Sequence, residues 1–150
     1  VRNSEIVIEF GAGGSTLLAM EEHVRQLISV DSDPVWCALV LDHPVLKACA
    51  EQGRLDLRYV DVGPTGSWGR PLDPAGRGDW PAYARAPWDV AAGAPDVVLI
   101  DGRFRVACTM QAVLNCPPST MIVIHDFWNR AHYHEVLRFL DWRASSDSMG

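Results

Sequence analysis

Five acidic side chains carry the first chemical signal in this chain. Glu9, Asp31, Asp61, Asp101 and Asp126 each stand at, or within two residues of, the end of an apolar run. Beside the first of them lies residues 6–16, Ile-Val-Ile-Glu-Phe-Gly-Ala-Gly-Gly-Ser-Thr, in which three glycines follow a β-prone segment. Glycines at such a turn let backbone approach a ligand, because no Cβ stands in the way. The N–H groups that open the next helix point to the same spot. Any one of these acids serves equally well as a turn cap. A lone glycine turn after a strand is likewise weak evidence. The joint pattern, one acid per segment end, points to a cofactor site with a reactive end.

The elements that must place these residues alternate in type. Residues 5–10 read as a strand and 15–26 as a helix capped by Ser15 or Thr16, with Leu17, Leu18, Val24 and Leu27 as its apolar face. Residues 27–30 form a second strand. A helix opened by Ser32, Asp33 and Pro34 runs to about 52, broken or kinked at His43-Pro44. Residues 55–60 alternate as a third strand. Residues 61–87 hold five glycines and five prolines with Trp68, Trp80 and Tyr83, and show no helical or strand period. A loop this long is usually functional or mobile. A buried strand at 96–100, a helix at 104–115, a buried strand at 120–124 and a helix at 131–142 with Val136, Leu137 and Leu140 inward complete the series. The polar tail 144–150 is expected to fray. This is an α/β pattern: one domain over 1–150, a Rossmann-like, doubly wound, mostly parallel sheet of five strands with helices on both faces. In such sheets ligands sit at the carboxyl ends of the strands, near the switch point.

Composition narrows the partners. A formal net charge of -6 without a run of Lys or Arg disfavours nucleic acid and anionic membrane surfaces. No apolar run is long enough to span a bilayer. Cys37, Cys49, Cys108 and Cys116 form no C-x-x-C pair, so buried free thiols and a reducing cytoplasm are the expectation.

The residues beside the glycines discriminate among cofactors. A dinucleotide loop asks for G-x-G-x-x-G, and Thr16 stands at the third position. Glu9 would repel a pyrophosphate but attract a cofactor carrying an ammonium and a sulfonium, as S-adenosylmethionine does. Asp31 suits two ribose hydroxyls, one on each carboxylate oxygen, and Asp61 could accept from an adenine amino group. With these residues stated, the chain resembles a class I S-adenosylmethionine-dependent methyltransferase. The likeness rests on Glu-Phe-Gly-Ala-Gly-Gly-Ser-Thr at 9–16, Asp31, Asp61-Val62 and Leu-Ile-Asp-Gly at 99–102. Asp-Gly-Arg-Phe-Arg at 101–105 and Ile-His-Asp-Phe at 124–127 are similar to a little-described bacterial branch of that family. The resemblance implies that Glu9, Gly11, Ala12, Gly13, Ser15 and Thr16 serve the methionine part of the cofactor. Asp31 and Ser32 would serve the ribose, and Asp61 and Val62 the adenine. Trp68 either stacks on adenine or pins the long loop. The family's antiparallel strands six and seven and its covering N-terminal helices have no counterpart here, so a shortened form or an excised fragment is expected. The free edge at strand five then invites pairing with a second copy.

At the reactive end, Asp101 and Asp126 are candidates to face one pocket, with His125 as a base. Arg103 and Arg105 are candidates to hold a carboxylate or phosphate of a small-molecule substrate. Plainer readings stand beside these: a strand-end turn, a solvated face and a satisfied core histidine. Catechol-type O-methyltransferases bind a divalent metal through an Asp after strand four and an Asp-Asn pair after strand five. Phe127 replaces that Asn, so no metal is assigned, although magnesium can sit on two carboxylates and waters. His132 and His134, two apart, diverge on a helix and make a poor chelate. The leading function is methyl transfer to a small molecule. The alternatives are an NAD(P)-dependent oxidoreductase, which lacks a Tyr-x-x-x-Lys pair here, and a non-catalytic nucleotide-binding module.

Overall fold

The computed structural model describes residues 5–73, 78–91 and 93–146. Five parallel strands form one sheet in the order β3-β2-β1-β4-β5. They are β1 (Ile6–Phe10), β2 (Gln26–Asp31), β3 (Leu55–Tyr59), β4 (Val97–Ile100) and β5 (Met121–Ile124). The switch point lies between β1 and β4, whose carboxyl ends are held in register, Phe10 opposite Ile100. All five residues of β1 are buried. A strand covered on both faces reads as a continuous apolar run, which is why Glu9 inside it is unusual.

Side chains alternate across the sheet and feed two cores. Val7, Leu27, Leu55 and Val97 pack with Ala19 and Met20 of α1 (Gly14–Glu21), Val40 of α2 (Pro34–Leu41) and Leu46 and Cys49 of α3 (Pro44–Glu51). Ile8, Phe10, Ile28, Val30, Val98 and Ile100 pack with Tyr83 and Ala84 of α4 (Trp80–Arg85) and Cys108 and Ala112 of α5 (Arg105–Asn115). Each fully buried Leu or Ile contributes about 1.5–3 kcal/mol. The doubly wound architecture is the expected one. All four cysteines are free thiols, three buried and Cys116 half-buried.

Several boundaries differ from expectation. The first helix ends at Glu21 rather than 26, because His23 turns left-handed (φ 60°) and drops the chain into β2. Its buried residues are Thr16, Ala19 and Met20; Leu18 is 54% exposed, and Leu27 belongs to β2. The helix is preceded by Gly13, so Ser15 and Thr16 lie inside it rather than capping from outside. The break at His43-Pro44 is found, with Pro44 at the start of α3. Residues 61–87 are not structureless. They contain a 3-10 turn, Ser67–Gly69, and α4, whose Tyr83 is 1% exposed; part of that stretch, 74–77, falls outside the described residues. A six-residue helix entered through Trp80-Pro81 leaves too little period to detect.

β5 is not buried on both faces. Ile122 and Ile124 face α5, while Met121 and Val123 are 62% and 39% exposed. The last helical segment, Ala131–Arg138, is 3-10 rather than α and buries Val136; Leu137 is largely exposed. No sixth strand follows β5 among the described residues. The expected fraying tail reaches outside them from residue 147. Among the described residues, no helix is long and apolar enough to cross a membrane.

Candidate functional site

The glycine turn is built from beneath by Glu9. Register places Ser29 of β2 beside it, and α1 supplies Ser15 and Thr16. Ser15 Oγ donates to Glu9 Oε1 at 2.5 Å; Thr16 Oγ1 and Ser29 Oγ donate to Oε2 at 2.6 Å each. The carboxyl group is buried, and desolvation raises its pKa against the lowering effect of the three hydroxyls. The Gly13 N–H donates in turn to Thr16 Oγ1 at 2.8 Å. Glu9 thus organises the turn from below and is not open to a ligand, which corrects the expectation of direct contact. The Thr16 side chain, fully buried and bonded twice, is withdrawn for the same reason.

The other loop groups are similarly engaged. Gly11 N–H donates to Val30 O (2.8 Å), Ala12 N–H to Asp31 Oδ2 (3.0 Å), and Ala12 O accepts the Trp36 indole N–H (2.7 Å). The N–H groups of Gly11, Ala12 and Gly13 are therefore engaged within the fold. The N–H groups of Gly14 and Ser15, at the start of α1, have no partner among the described residues. A Cβ on Gly14 would meet nothing within 4 Å. The open N–H groups thus lie at the start of α1, where the sequence placed them.

Gly11 and Gly102 cross backbone against backbone at the switch point. A Cβ on Gly11 (φ +97°) would stand 2.6 Å from Gly102 N. One on Gly102 would strike the Tyr83 hydroxyl and Gly11 N. Phe10 O accepts both the Asp101 and Gly102 N–H groups, at 2.9 and 2.6 Å. Only glycine tolerates both the close approach and the left-handed φ at 11.

Asp31 ends β2 with a half-buried carboxylate whose pKa desolvation raises against three backbone bonds. Oδ1 accepts from Ser32 N (2.7 Å) and Asp33 N (3.0 Å), and Oδ2 only from Ala12 N. With about two lone pairs per oxygen, Oδ2 alone has capacity left. The expectation of one ribose hydroxyl on each oxygen thus meets an Oδ1 that already holds two N–H donors. Ser32 is buried under the hairpin at 64–72, whose Gly69 lies against Ser32 Oγ and Arg103 Cγ. Trp68, at that tip, is 92% exposed with φ 62°, so it does not pin the loop to the fold. Asp61 is exposed; its carboxylate accepts the Gly63 N–H at 2.9 Å and pairs with the Tyr59 hydroxyl. Val62 is buried in the α4–α5 core and its carbonyl takes the Trp80 indole (3.0 Å), so its side chain is unavailable to a ligand, against expectation.

β4 and β5 bring Asp101, His125 and Asp126 together. His125 Nδ1 lies 2.9 Å from Asp101 Oδ1 and 3.8 Å from Asp126 Oδ1. The imidazole is about half exposed, with Nδ1 on the Asp101 side. Asp126 also pairs with Arg130 at 3.3 Å. Arg103 makes no ion pair among the described residues and borders the hairpin tip. Arg105 is 5% exposed. It donates to the carbonyls of Gly102, His125 and Asp101 and to the Asp101 carboxylate. The side chain is buried and four of its five N–H groups are engaged within the fold, so the expected role of Arg105 in holding substrate is corrected to one inside the fold. Tyr83 and Trp36 were not singled out from sequence; Gly14 and Ser29, a polar residue in an apolar strand, carried a faint signal.

His132 meets Tyr133 edge to face, and His134 packs against Phe127 and Trp128. Among the described residues, no three His, Cys, Asp or Glu side chains are arranged to hold a metal ion. Cavities of about 540 and 530 Å³ open along α4 and α5. None of the strand-end acids lines them, so chemistry rather than volume marks the site.

A doubly wound sheet with a glycine turn and strand-end acids at its switch point defines a Rossmann-like class of cofactor-binding fold. No protein-family model and no curated protein matches the chain. Among solved structures it is similar to a methyltransferase-like protein from Silicibacter pomeroyi DSS-3, with 30% identity and a TM-score of 0.81. The likeness covers 97% of this chain and 76% of that one. The chain belongs to this methyltransferase-like family.

Proposed function

We propose that the protein transfers a methyl group from S-adenosylmethionine to a small-molecule acceptor bearing a weakly acidic O–H or N–H. The observation that carries this reading is the meeting of two half-sites at the β1–β4 switch point. One is the Glu9-anchored turn with its free Gly14 and Ser15 N–H groups. The other is the Asp101–His125 pair. The residues present suit the cofactor. Gly14 leaves open space, and its N–H and that of Ser15 would take the cofactor's carboxylate. Asp31 Oδ2 would take a ribose hydroxyl, and Asp61 would accept from adenine. The bound cofactor supplies a methyl group on a good leaving sulfur. The chain's own task is then alignment and proton removal. Asp101 accepts the Nδ1–H of His125, leaving Nε2 to take the acceptor's proton. Arg103 offers its guanidinium to an anionic group on the acceptor.

Thermal melting with S-adenosylmethionine, S-adenosylhomocysteine, NAD and no ligand tests this. Binding at 100 times the dissociation constant adds about 2.7 kcal/mol of stability. A shift with the adenosyl compounds and none with NAD is expected. A folded protein that responds to neither adenosyl compound overturns the proposal, and a shift with NAD alone favours the oxidoreductase.

A further inference from the structure

We propose that Arg105 is the positioning residue that fixes His125 as an outward-facing base. Phe104, left-handed at φ 53°, turns the chain into α5 so that Arg105 begins the helix. Its side chain runs back under the ends of β4 and β5. There Nε donates to Gly102 O at 3.1 Å, Nη1 to His125 O at 2.5 Å, and Nη2 to Asp101 O at 2.5 Å and to Asp101 Oδ1 at 2.8 Å. One planar fork therefore holds the backbone of both catalytic strand ends and the carboxylate between them. The face of Tyr133 lies 5.8 Å from the same guanidinium.

The consequence for His125 follows from charge, which sets the direction of its bond to Asp101, and from the fork, which holds the two groups where that bond can form. A guanidinium is always protonated, and a buried one needs a compensating anion. Among the described residues Asp101 is the carboxylate bonded to it, so Asp101 is ionised and can only accept. The 2.9 Å contact to His125 Nδ1 must then be an Nδ1–H donation, and in the neutral ring that leaves the Nε2 lone pair free. The carbonyl bond to His125 itself fixes where that ring starts from the backbone. A lysine could replace the charge but not the fork, because it is a single point donor.

This role rests on the methyl-transfer reading for its purpose, but its test does not. Long-range ¹H–¹⁵N correlation reads the tautomer of each neutral imidazole, with His125→Gln assigning the signal. The native protein should show His125 as a single Nδ1–H tautomer. Arg105→Lys, which keeps bulk and charge, and Arg105→Gln, which keeps a donor without charge, should both lose it to a mixture with Nε2–H. A native His125 in the Nε2–H form, or the native tautomer persisting in either folded variant, overturns the proposal. If Arg105→Gln does not fold, Arg105→Lys alone decides. The measurement needs neither cofactor nor acceptor, so its failure leaves the melting test standing, and a failed melting test leaves the tautomer result intact.

Discussion

Removing the Glu9 carboxylate should unfasten the glycine turn, and the cost can be worked from the structure. Glu9→Ala leaves three hydroxyls without their acceptor. Those of Thr16 and Ser29 are fully buried, with bonds of 2.6 Å. A buried donor left unsatisfied costs about 1–3 kcal/mol. Ser15 is only half-buried and can turn to water, so its loss counts for about 0.5–1 kcal/mol. Against this, the variant no longer desolvates a carboxyl group, the term that raises the Glu9 pKa. The balance is a destabilisation of about 3 kcal/mol, or roughly 10 °C in Tm for a domain of this size. Urea denaturation at constant m-value measures it. Glu9→Gln, which keeps the shape and rotatable hydroxyl partners, should cost about 1 kcal/mol or less.

The pH dependence gives a second reading of the same residue. Because its folded pKa is raised, Glu9 contributes stability that is fully present below 4.5 and is lost as pH rises through the folded value. Asp31 has the same sign, so it remains as background in the variant. Glu9→Gln should therefore gain on the native protein as pH climbs above about 4.5. A Glu9→Ala protein within about 1 kcal/mol of native would refute the hydroxyl-cluster argument. So would a Gln variant whose deficit grows with pH.

Other substitutions separate the two half-sites. Asp31→Ala removes the Oδ2 acceptor assigned to the ribose, and should weaken S-adenosylmethionine binding about 10- to 100-fold by calorimetry; an unchanged Kd would move the ribose elsewhere. Asp101→Ala should lower Tm, since it strips the buried Arg105 of its anion, yet keep the melting shift with S-adenosylhomocysteine; loss of that shift would place Asp101 in the cofactor site. Gly102→Ala brings a Cβ against the Tyr83 hydroxyl and Gly11 N, and should cost about 3 kcal/mol or more by denaturation. A Gly102→Ala protein of native stability would mean the crossing can relax.

The scaffold was legible where one physical term dominates. Apolar or alternating runs with an acid at or near the end marked all five strands; in β1, β2 and β4, covered on both faces, little room is left for other residues. The break at His43-Pro44 was readable because proline can only begin a helix. What escaped needed a partner distant in the chain. Glu9 looked like a ligand group because its charge was visible, while Ser29 beside it depends on strand register. Arg105 looked like a substrate clamp because exposed arginines often are, and nothing local announces that three carbonyls converge on it. α4 was hidden by its proline and its brevity, although Tyr83 closes the sheet beneath Gly102. Met121 and Val123 read as core because an apolar strand does not say whether both of its faces are covered.

The crossing of Gly11 over Gly102 has an evolutionary consequence. Phe10 lends one carbonyl to the loop that carries Asp101, and each glycine excludes a side chain from the other. Neighbours sharing partners do not contribute additively. A library that randomises 101–105 to find new acceptors should therefore show strong epistasis with 10–13. Under the proposed function, acceptor preference and cofactor affinity would be inherited together.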